Sequence, residues 1–441
     1  MEIKVGILAR PEIKVRFNGA YKRSDNGNIY RGEIDLIRKG QDFFIQADST
    51  EEPVNLPVTF SPVEPATSFF ELADVTIGID FHWERKENQQ FQGTLSCIEE
   101  SGQVRVINIL DLEDYLQSVI SSEMSATSSL ELLKTHAVIS RSWLLAQQNK
   151  AKAIRRDHAG YRSSIHKEDE YIRWFDREDH TNFDVCADDH CQRYQGIQKA
   201  TTAAVREAIA ATRGEVLYYN NTICDARFSK CCGGITESFE NVWEPRPHPY
   251  LKAIYDSAKQ PGQCDIHRES DTARWVESHP DVFCNTTDTH ILSEVLNDYD
   301  RETTNFFRWE VSYRTEEISE LIRQKLSIDF GTVTDLIPIE RGASGRLIRL
   351  KITGTRKTLI IGKELLIRKA LSPTHLYSSA FTVEKITENG KTSGFRLRGA
   401  GWGHGVGLCQ IGAAVMSAKG YNYREILQHY FPGTDILKAY E

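Results

Sequence analysis

The first hundred residues alternate apolar and polar positions with the period of a β-strand. Residues 1–17 read MEIKVGILARPEIKVRF, and the later runs FFIQA, VTIGIDF and QVRVINIL are similar, separated by turn material such as SDNGN. Alternation with a period of two is typical of half-buried strands, so the sequence predicts a β-rich N-terminal part. Residues 1–17 lack the apolar core of a signal peptide and are predicted to form a strand instead.

The period becomes helical after residue 110. LEDYLQSVI predicts a short helix, SLELLKTHAVISRSWLLAQQ a long one, and KATTAAVREAIAATRG a third that ends at Gly214. Two strand-like runs joined by Asn220-Asn221 predict a hairpin, because asparagine tolerates the positive φ of a tight turn. Residues 335–400 return to strand patterns, and the segments CQIGAAVMSAKG and YREILQHYF predict two closing helices.

These patterns predict an α+β protein with two parts. Residues 1–100 form the predicted β-rich N-terminal region, and residues 101–441 a mixed helix and strand catalytic core with inserted loops. The predicted insertions are a strongly charged stretch near 151–182 and a segment near 258–330 that has no clear motif. A length of 441 residues agrees with more than one part, since it exceeds what one ordinary core fills.

The charge balance narrows the class of partner. The chain has 62 acidic and 54 basic residues and a formal net charge of −8. This excess argues against a nucleic-acid partner, because phosphate binding requires a basic surface. No apolar run approaches the roughly 18 to 20 residues that a spanning helix needs, so no transmembrane segment is predicted.

Cysteine and histidine residues cluster in one short segment. The nine cysteines, an odd number spread over the chain, do not form the framework of a disulfide-rich protein. His180, Cys186, His190 and Cys191 offer the imidazole and thiolate ligands that tetrahedral zinc favours. The spacing is not that of a standard zinc finger, so unrelated buried cysteines remain the alternative. The pair Cys231-Cys232 is a further source of a ligand.

Glu123 is the candidate acid. It lies in a serine-rich connector between two predicted helices, next to Met124 and eight positions after Tyr115. A carboxyl group that such neighbours partly shield from water suits a general acid for a glycosidic oxygen. The alternative is an ordinary acid near a helix N-terminus, where acids are common.

Two cations follow on the long helix. Lys134 and Arg141 are two turns apart on one face and are candidates to flank an anionic or acetamido-bearing sugar. The alternative is that Lys134 pairs with Glu131 on a solvated face.

Two glycine-containing segments complete the candidate site. In FSKCCGGITE, Gly233 and Gly234 permit a tight turn, and Ser229 is a candidate hydrogen-bonding partner for a sugar. In GAGWGHGVG, glycines at every second position indicate that the backbone itself packs closely on something. The segment lacks the features of a phosphate loop. His404 within it either binds substrate or orients Glu123, or is a hydrogen-bonded core histidine.

Together these segments resemble the SpoIID/LytB family of peptidoglycan-degrading and amidase-modifying proteins. The resemblance rests on LEDYLQSVISSEM, LELLKTHAVISRSW, HCQRYQG, FSKCCGGITE, ASGRLIRLKITG, GWGHGVGLCQIGA and ILQHYFPGT, which occur in the family's order over roughly residues 104–434. The chain departs from the family in having Ser125 after SEM, where proline is frequent. At Cys232-Gly233-Gly234 many members have Ser-Gly-Gly or Cys-Gly-Gly.

The resemblance implies a lytic transglycosylase that cleaves the bond between N-acetylmuramic acid and N-acetylglucosamine and leaves a 1,6-anhydro sugar. Glu123 is then the catalytic acid and base, and no cofactor is required for catalysis. The residues implied to bind substrate are Lys134, Arg141, Ser229, Gly233, His404 and Gln410. The resemblance also implies a structural role for zinc at the His/Cys segment.

The implied partner is the glycan strand of peptidoglycan, and this substrate implies an extracytoplasmic location. The alternative within the same family is a non-catalytic, peptidoglycan-binding protein that enhances an amidase. Two further alternatives are a zinc-dependent hydrolase and a two-carboxylate hydrolase. For the latter, Asp225, Glu237 or Glu244 is the candidate second carboxylate.

Overall fold

Contacts within the chain define two units. The first comprises Met1–Leu133 and Asp179–Arg213, and the second comprises Lys134–Glu178 and Gly214–Glu441. The computed structural model describes residues 1–47, 49–79, 84–157, 163–174, 180–188, 190–198, 202–259, 266–295 and 305–441, with the backbone alone for 154–157. Cys264 and parts of both predicted insertions lie outside the described residues.

Strands and helices both run through the described chain, which confirms the predicted α+β class. In chain order the strands are β1 (Glu2–Arg10), β2 (Glu12–Arg23), β3 (Ile29–Lys39), β4 (Asp42–Ala47), β5 (Thr50–Val54), β6 (Val58–Pro62), β7 (Phe69–Ile77), β8 (Arg85–Phe91), β9 (Thr94–Glu100), β10 (Gln103–Asp111), β11 (Ser164–His166), β12 (Glu170–Arg173), β13 (Val185–Cys186), β14 (Glu215–Tyr219), β15 (Thr222–Ile223), β16 (Phe228–Ser229), β17 (Arg308–Arg314), β18 (Val333–Arg341), β19 (Leu347–Gly354), β20 (Thr358–Gly362), β21 (Phe381–Glu388), β22 (Lys391–Ala400), β23 (Leu408–Cys409) and β24 (Asp435–Lys438). The helices are α1 (Leu112–Glu123), α2 (Leu130–Asp157), α3 (Ala203–Ala211), α4 (Glu269–Glu277), α5 (Thr289–Val295), α6 (Thr315–Leu326), α7 (Glu364–Ala370), α8 (Gln410–Ala418) and α9 (Tyr423–Tyr430).

One large sheet organises the first unit. Its strand order is β13-β1-β10-β9-β6-β2-β3-β4-β5, and β7 pairs with both β2 and β8. Alternate residues of β2, including Ile13, Val15 and Phe17, are buried, as the period of two predicts. Because β10 and β13 pair with β1, this sheet extends past residue 100, where the sequence pattern predicts a boundary.

The second unit contains several smaller sheets. A five-stranded sheet has the order β11-β12-β20-β19-β18, and β17, β22 and β21 form a three-stranded antiparallel sheet. Helices α6 and α7 pack on these strands around one apolar core that includes Ile318, Ile322, Leu350 and Phe395. Strands β15, β14 and β24 form a further sheet, and the predicted Asn220-Asn221 hairpin is confirmed between β14 and β15.

The two predicted insertions contribute to these sheets. Near 151–182, α2 continues to Asp157, and the three- and four-residue strands β11 and β12 join β20, with Glu170 opposite Ile360. Near 258–330, β17 pairs with β22 along seven residues. The described parts of both segments therefore contain strands as well as loops. That the two segments are insertions stays a prediction. No described helix is long and apolar enough to cross a membrane.

The hydroxyl of Ser142 links α2 to β14 inside the second unit. It donates to the carbonyl oxygen of Val138 (2.6 Å) and accepts from the backbone N–H of Leu217 (2.8 Å), fully buried. We expect Ser142→Ala to lower the free energy of unfolding by about 1–3 kcal/mol, because the Leu217 N–H loses its acceptor away from water. Urea unfolding measures the change. The control Ser293→Ala removes a surface hydroxyl bonded within its own helix and should change stability by less than about 0.5 kcal/mol.

Candidate functional site

Glu123 is the last residue of α1, in the first unit. The helix begins after Asp111, whose carboxylate accepts from the Glu113 N–H, and ends where Met124 turns to extended backbone. The sequence pattern predicts Glu123 in the connector, so the helix is longer than predicted. The side chain is half-buried, and its Oε1 accepts a hydrogen bond of 2.9 Å from the backbone N–H of Arg193.

The segment that supplies this N–H packs along α1. The Tyr115 hydroxyl donates to the Gln192 side chain (3.2 Å), and the Gln195 N–H donates to the Ser118 hydroxyl (3.2 Å). The Tyr194 ring stacks on that of Tyr115 with centroids 5.3 Å apart. Both tyrosines are buried. The position of the Arg193 N–H is therefore fixed by packing on both sides of it.

The predicted zinc ligands converge directly before this segment. The ligand atoms of His180, Cys186, His190 and Cys191 all lie within 4.8 Å of one another. Cys191 Sγ is 3.5 Å from His180 Nε2 and 3.7 Å from His190 Nδ1, and Cys186 Sγ is 3.9 Å from His190 Nδ1. Metal–ligand bonds of about 2.0–2.3 Å in a tetrahedron imply ligand separations of roughly 3.3–3.8 Å, so the donor set fits zinc.

The same cluster favours the thiolate form of Cys186. Hydrogen bonding to the Cys191 thiol, the largest effect, and to His180 and His190 outweighs burial and places the pKa of Cys186 well below its ordinary value. The Cys186 N–H also donates to Cys191 Sγ (3.4 Å). A thiolate is the form of cysteine that binds a metal. The identity of the metal remains a prediction.

In the second unit, the Cys-Gly-Gly turn and the glycine-rich segment pack backbone against backbone. Cys231 and Trp402 form a pair of hydrogen bonds of 3.0 and 2.8 Å. A side chain on Gly233 would place its Cβ 2.8 Å from the Gly401 nitrogen, and one on Gly401 would meet the Cys231 carbonyl oxygen at 2.8 Å. The predicted close packing of the alternate glycines is therefore confirmed.

His404 lies beside this packed region and hydrogen-bonds to the backbone around it. Its Nδ1 accepts from the Val406 N–H (3.0 Å), and its ring meets the Trp243 ring edge to face with centroids 4.9 Å apart. Burial and the charges of Arg227, Arg368 and Arg346 place the pKa of His404 well below its ordinary value. The imidazole is therefore neutral at neutral pH and has the geometry of a hydrogen-bonded histidine. A role in substrate binding remains a prediction.

Trp243 also carries a cation on its face. The Arg227 guanidinium lies 4.2 Å from the Trp243 ring centroid, and its Nε and Nη2 donate to both oxygens of Asp225 (2.6 and 3.0 Å). This stack leaves Trp243 half-buried. A partly exposed aromatic ring with fixed polar neighbours is chemically suited to a sugar.

Three buried side chains of the second unit, Ser229, Gln410 and His136, carry polar atoms without a hydrogen-bond partner in the part of the chain that the structure describes. Ser229 ends β16, which pairs with β23, and Gln410 begins α8 directly after β23. Among the described residues, Ser229 Oγ, Gln410 Nε2 and both ring nitrogens of His136 have no hydrogen-bond partner. Buried polar atoms are normally paired, so these atoms are available to water or to a bound polar group. The sequence analysis missed His136, because a histidine in an apolar helical stripe gives no distinguishing signal.

The two predicted cations differ in exposure. Lys134 is half-buried, and its Nζ lies 5.7 Å from the Tyr423 ring centroid. Arg141 is fully buried, and its Nη1 donates to the carbonyl oxygens of Glu215 (2.9 Å) and Ala137 (3.4 Å). The prediction that Arg141 flanks a sugar is therefore corrected: its enclosed guanidinium holds backbone carbonyl groups in place.

The candidate second carboxylates are engaged in the second unit. Asp225 pairs with Arg227, and Glu244 pairs with Lys150. Glu237 is fully buried and accepts from Asn241 Nδ2 (2.8 Å) and the Ser344 hydroxyl (2.5 Å). These contacts are structural, and they give the two-carboxylate alternative no supporting geometry.

Two family models match the chain. Residues 100–219, which contain Glu123 and the His/Cys cluster, match the family described as stage II sporulation protein (SpoIID). Residues 237–407 match a domain of unknown function (DUF8618).

Curated relatives cover most of the chain. An uncharacterised protein of Brachyspira hyodysenteriae is 27% identical over 79% of this chain and 72% of that protein. The amidase enhancer of Bacillus subtilis is 26% identical over 73% of this chain, and this chain spans 40% of that protein. The stage II sporulation protein D of Bacillus subtilis is 23% identical over 75% of each chain. The matched domain and the named relatives support the predicted SpoIID/LytB assignment.

The glycine-rich segment provides a test of the backbone packing. Gly407 has φ +73°, and an added Cβ would lie 2.1 Å from the Arg227 carbonyl oxygen. Gly420 has φ +90° with nothing within 4 Å of an added Cβ. Both changes to alanine incur the left-handed penalty of about 1–2 kcal/mol. We expect Gly407→Ala to lower the free energy of unfolding by a further ~1–3 kcal/mol, because it also overpacks the contact. Equal losses in chemical denaturation would contradict the close approach.

His136 provides a test of burial by pH. Burial, and then the charge of Lys230, lowers the pKa of His136 to about 3. Below about pH 6.5 the unfolded chain binds a proton at His136, whereas the folded chain does so only near pH 3. The free energy of unfolding therefore decreases as pH falls from about 6.5 to about 3. We expect the stability of His136→Phe relative to the wild type to rise by about 2 kcal/mol between pH 7 and pH 5, measured by urea unfolding. The exposed His279→Phe is the control, and a pH-independent difference at His136 would refute the burial argument.

Proposed function

We propose that this protein acts on the bacterial cell wall as a lytic transglycosylase, with Glu123 as its acid and base. The observation that carries the proposal is the half-buried Glu123 carboxylate at the end of α1, with Oε1 held by the Arg193 backbone N–H. The held oxygen fixes the orientation of the carboxyl group that would transfer the proton. The family match covers residues 100–219, a range that includes Glu123.

The proposed reaction needs one carboxyl group. Protonated Glu123 donates to the glycosidic oxygen that leaves C1 of N-acetylmuramic acid. The resulting carboxylate accepts the proton of the muramyl 6-hydroxyl as O6 bonds to C1, which gives the 1,6-anhydro product. The Arg193 N–H is a hydrogen-bond donor to the carboxylate form that the second step uses.

We propose that the His/Cys cluster holds zinc in a structural role. Bound zinc would cross-link His180, Cys186, His190 and Cys191 through their sulfur and nitrogen atoms. Cys191 precedes Arg193 by two residues, so the cross-link limits the motion of the N–H that orients Glu123. Proton transfer remains with Glu123.

In the second unit we propose that polar groups around the packed glycine turns bind the sugar hydroxyl and acetamido groups. The supporting observations are the buried hydroxyl of Ser229, the Gln410 amide and the neutral His404 ring against Trp243. Gly233 contributes close backbone approach, and Lys134 a half-buried cation. The implied substrate, peptidoglycan glycan, makes an extracytoplasmic location part of the proposal.

The amidase enhancer among the relatives supports a second candidate. On this alternative the chain binds peptidoglycan and stimulates an amidase without cleaving glycan, and Glu123 is dispensable.

The test is a digestion of purified, peptide-free glycan strands followed by mass spectrometry of the new ends. We expect the wild type to produce 1,6-anhydromuramyl ends, and Glu123→Gln to lower the rate by about 100-fold or more, because the amide cannot transfer the proton. The control Asp114→Asn changes an exposed acid on the same helix and should retain the wild-type rate.

Other products discriminate among the alternatives. Reducing ends derived from water would replace the transglycosylase proposal with hydrolysis. Absence of cleavage by the folded wild type, together with amidase stimulation that Glu123→Gln retains, would establish the enhancer alternative.

A further inference from the structure

A second group of potential metal ligands converges in the second unit, and it includes Cys232 of the pair that the sequence offers as a further source of a ligand. Single ligand atoms of Cys232, Asp256, Cys284 and Cys409 all lie within 4.8 Å of one another, and all four residues are buried. Cys232 Sγ is 3.6 Å from Cys284 Sγ and 3.5 Å from Asp256 Oδ2. Four residues that span 178 positions of the sequence therefore meet at one point.

Backbone N–H groups point at these sulfur atoms. Cys409 Sγ accepts from the N–H of Cys232 (3.2 Å) and from that of Gly412 (3.4 Å), at the N-terminus of α8. Cys232 Sγ accepts from the Gly234 N–H (3.4 Å). Donors aimed at sulfur stabilise thiolates, and such outer contacts orient the ligands of metal sites.

The carboxylate of Asp256 is oriented in the same way. Its Oδ1 accepts from the Tyr430 hydroxyl (2.6 Å) and lies 3.5 Å from His429 Nε2. Its Oδ2 accepts from the Cys284 N–H (3.2 Å) and faces the sulfur atoms. A buried carboxylate among thiols is costly unless a cation compensates its charge. A divalent ion held between Asp256 Oδ2 and the sulfur atoms would compensate this charge.

We propose that Cys232, Cys284, Cys409 and Asp256 form a binding site for a second divalent metal ion, zinc. Three sulfur donors and one carboxylate oxygen suit tetrahedral Zn²⁺. The ion would fasten the Cys-Gly-Gly turn to the N-terminus of α8. Cys232 precedes Gly233, and Cys409 precedes Gln410, so the site supports two residues proposed to bind sugar. The metal site itself does not depend on the proposed function.

The experiment measures zinc per chain in the purified full-length protein by inductively coupled plasma mass spectrometry. We expect two zinc ions for the wild type and one for Cys284→Ser, for Asp256→Asn and for Cys191→Ser, which removes a ligand of the other cluster. Cys224→Ser, a buried cysteine of the same unit outside the group, is the matched control and should retain both ions. Circular dichroism verifies that each variant is folded.

X-ray absorption of Cys191→Ser identifies the ligands of the remaining ion, and we expect three sulfur atoms and one oxygen. Because Cys191→Ser leaves the ligands of the proposed second site in place, this measurement also tests that site if Cys284→Ser does not fold. Wild-type protein with a single zinc that Cys191→Ser abolishes would overturn the proposal. So would peptide mapping that finds a disulfide between Cys232 and Cys284 in the freshly purified protein. Neither result bears on Glu123, so the proposed reaction is tested separately.

Discussion

The hydrogen bond from the Arg193 backbone N–H to Glu123 is the contact on which the candidate chemistry depends. The donor belongs to the main chain, so its position is set by backbone geometry rather than by the identity of a side chain. That geometry comes from Tyr194 stacked on Tyr115 and from Gln195 bonded to Ser118. A catalytic carboxyl group must be held in one orientation, since misplacement of reacting groups is costly in rate. Helix α1 and the segment after Cys191 together provide that orientation.

The sequence predicts elements well where a period extends over many residues. The strand-rich first unit, the Asn220-Asn221 hairpin and the two closing helices are all present. Strands β11 and β12 escaped prediction because three or four residues carry no measurable period, and β20, with which β12 pairs, lies far along the chain. Helix α1 extends further than predicted, since Ser121 and Ser122 are helical although serine is common in connectors.

Site residues can likewise be predicted where they are close together in the sequence, but not where only folding brings them together. The His/Cys cluster could be predicted because its ligands fall within one short segment, and Glu123 because the family motif surrounds it. The second cysteine group could not, since Cys232 and Cys409 are far apart in sequence and only folding brings them together. Arg141 shows the converse error. Its place two turns from Lys134 suggests a shared exposed face, but tertiary packing on Glu215 encloses it.

Each of the two cysteine-containing clusters immediately precedes a backbone segment of the candidate site. In the first unit, Cys191 leads within two positions to the N–H that holds Glu123. In the second, Cys232 and Cys409 directly precede Gly233 and Gln410. Turns rich in glycine lose much conformational entropy on ordering, and alternate glycines at positive φ are held only by what packs against them. A metal ion bound at the start of such a turn would offset this cost, because its binding free energy adds to that of folding. Recognition of a sugar, as proposed, would require rigid placement of a few polar groups, and each cluster lies next to a segment proposed to provide one.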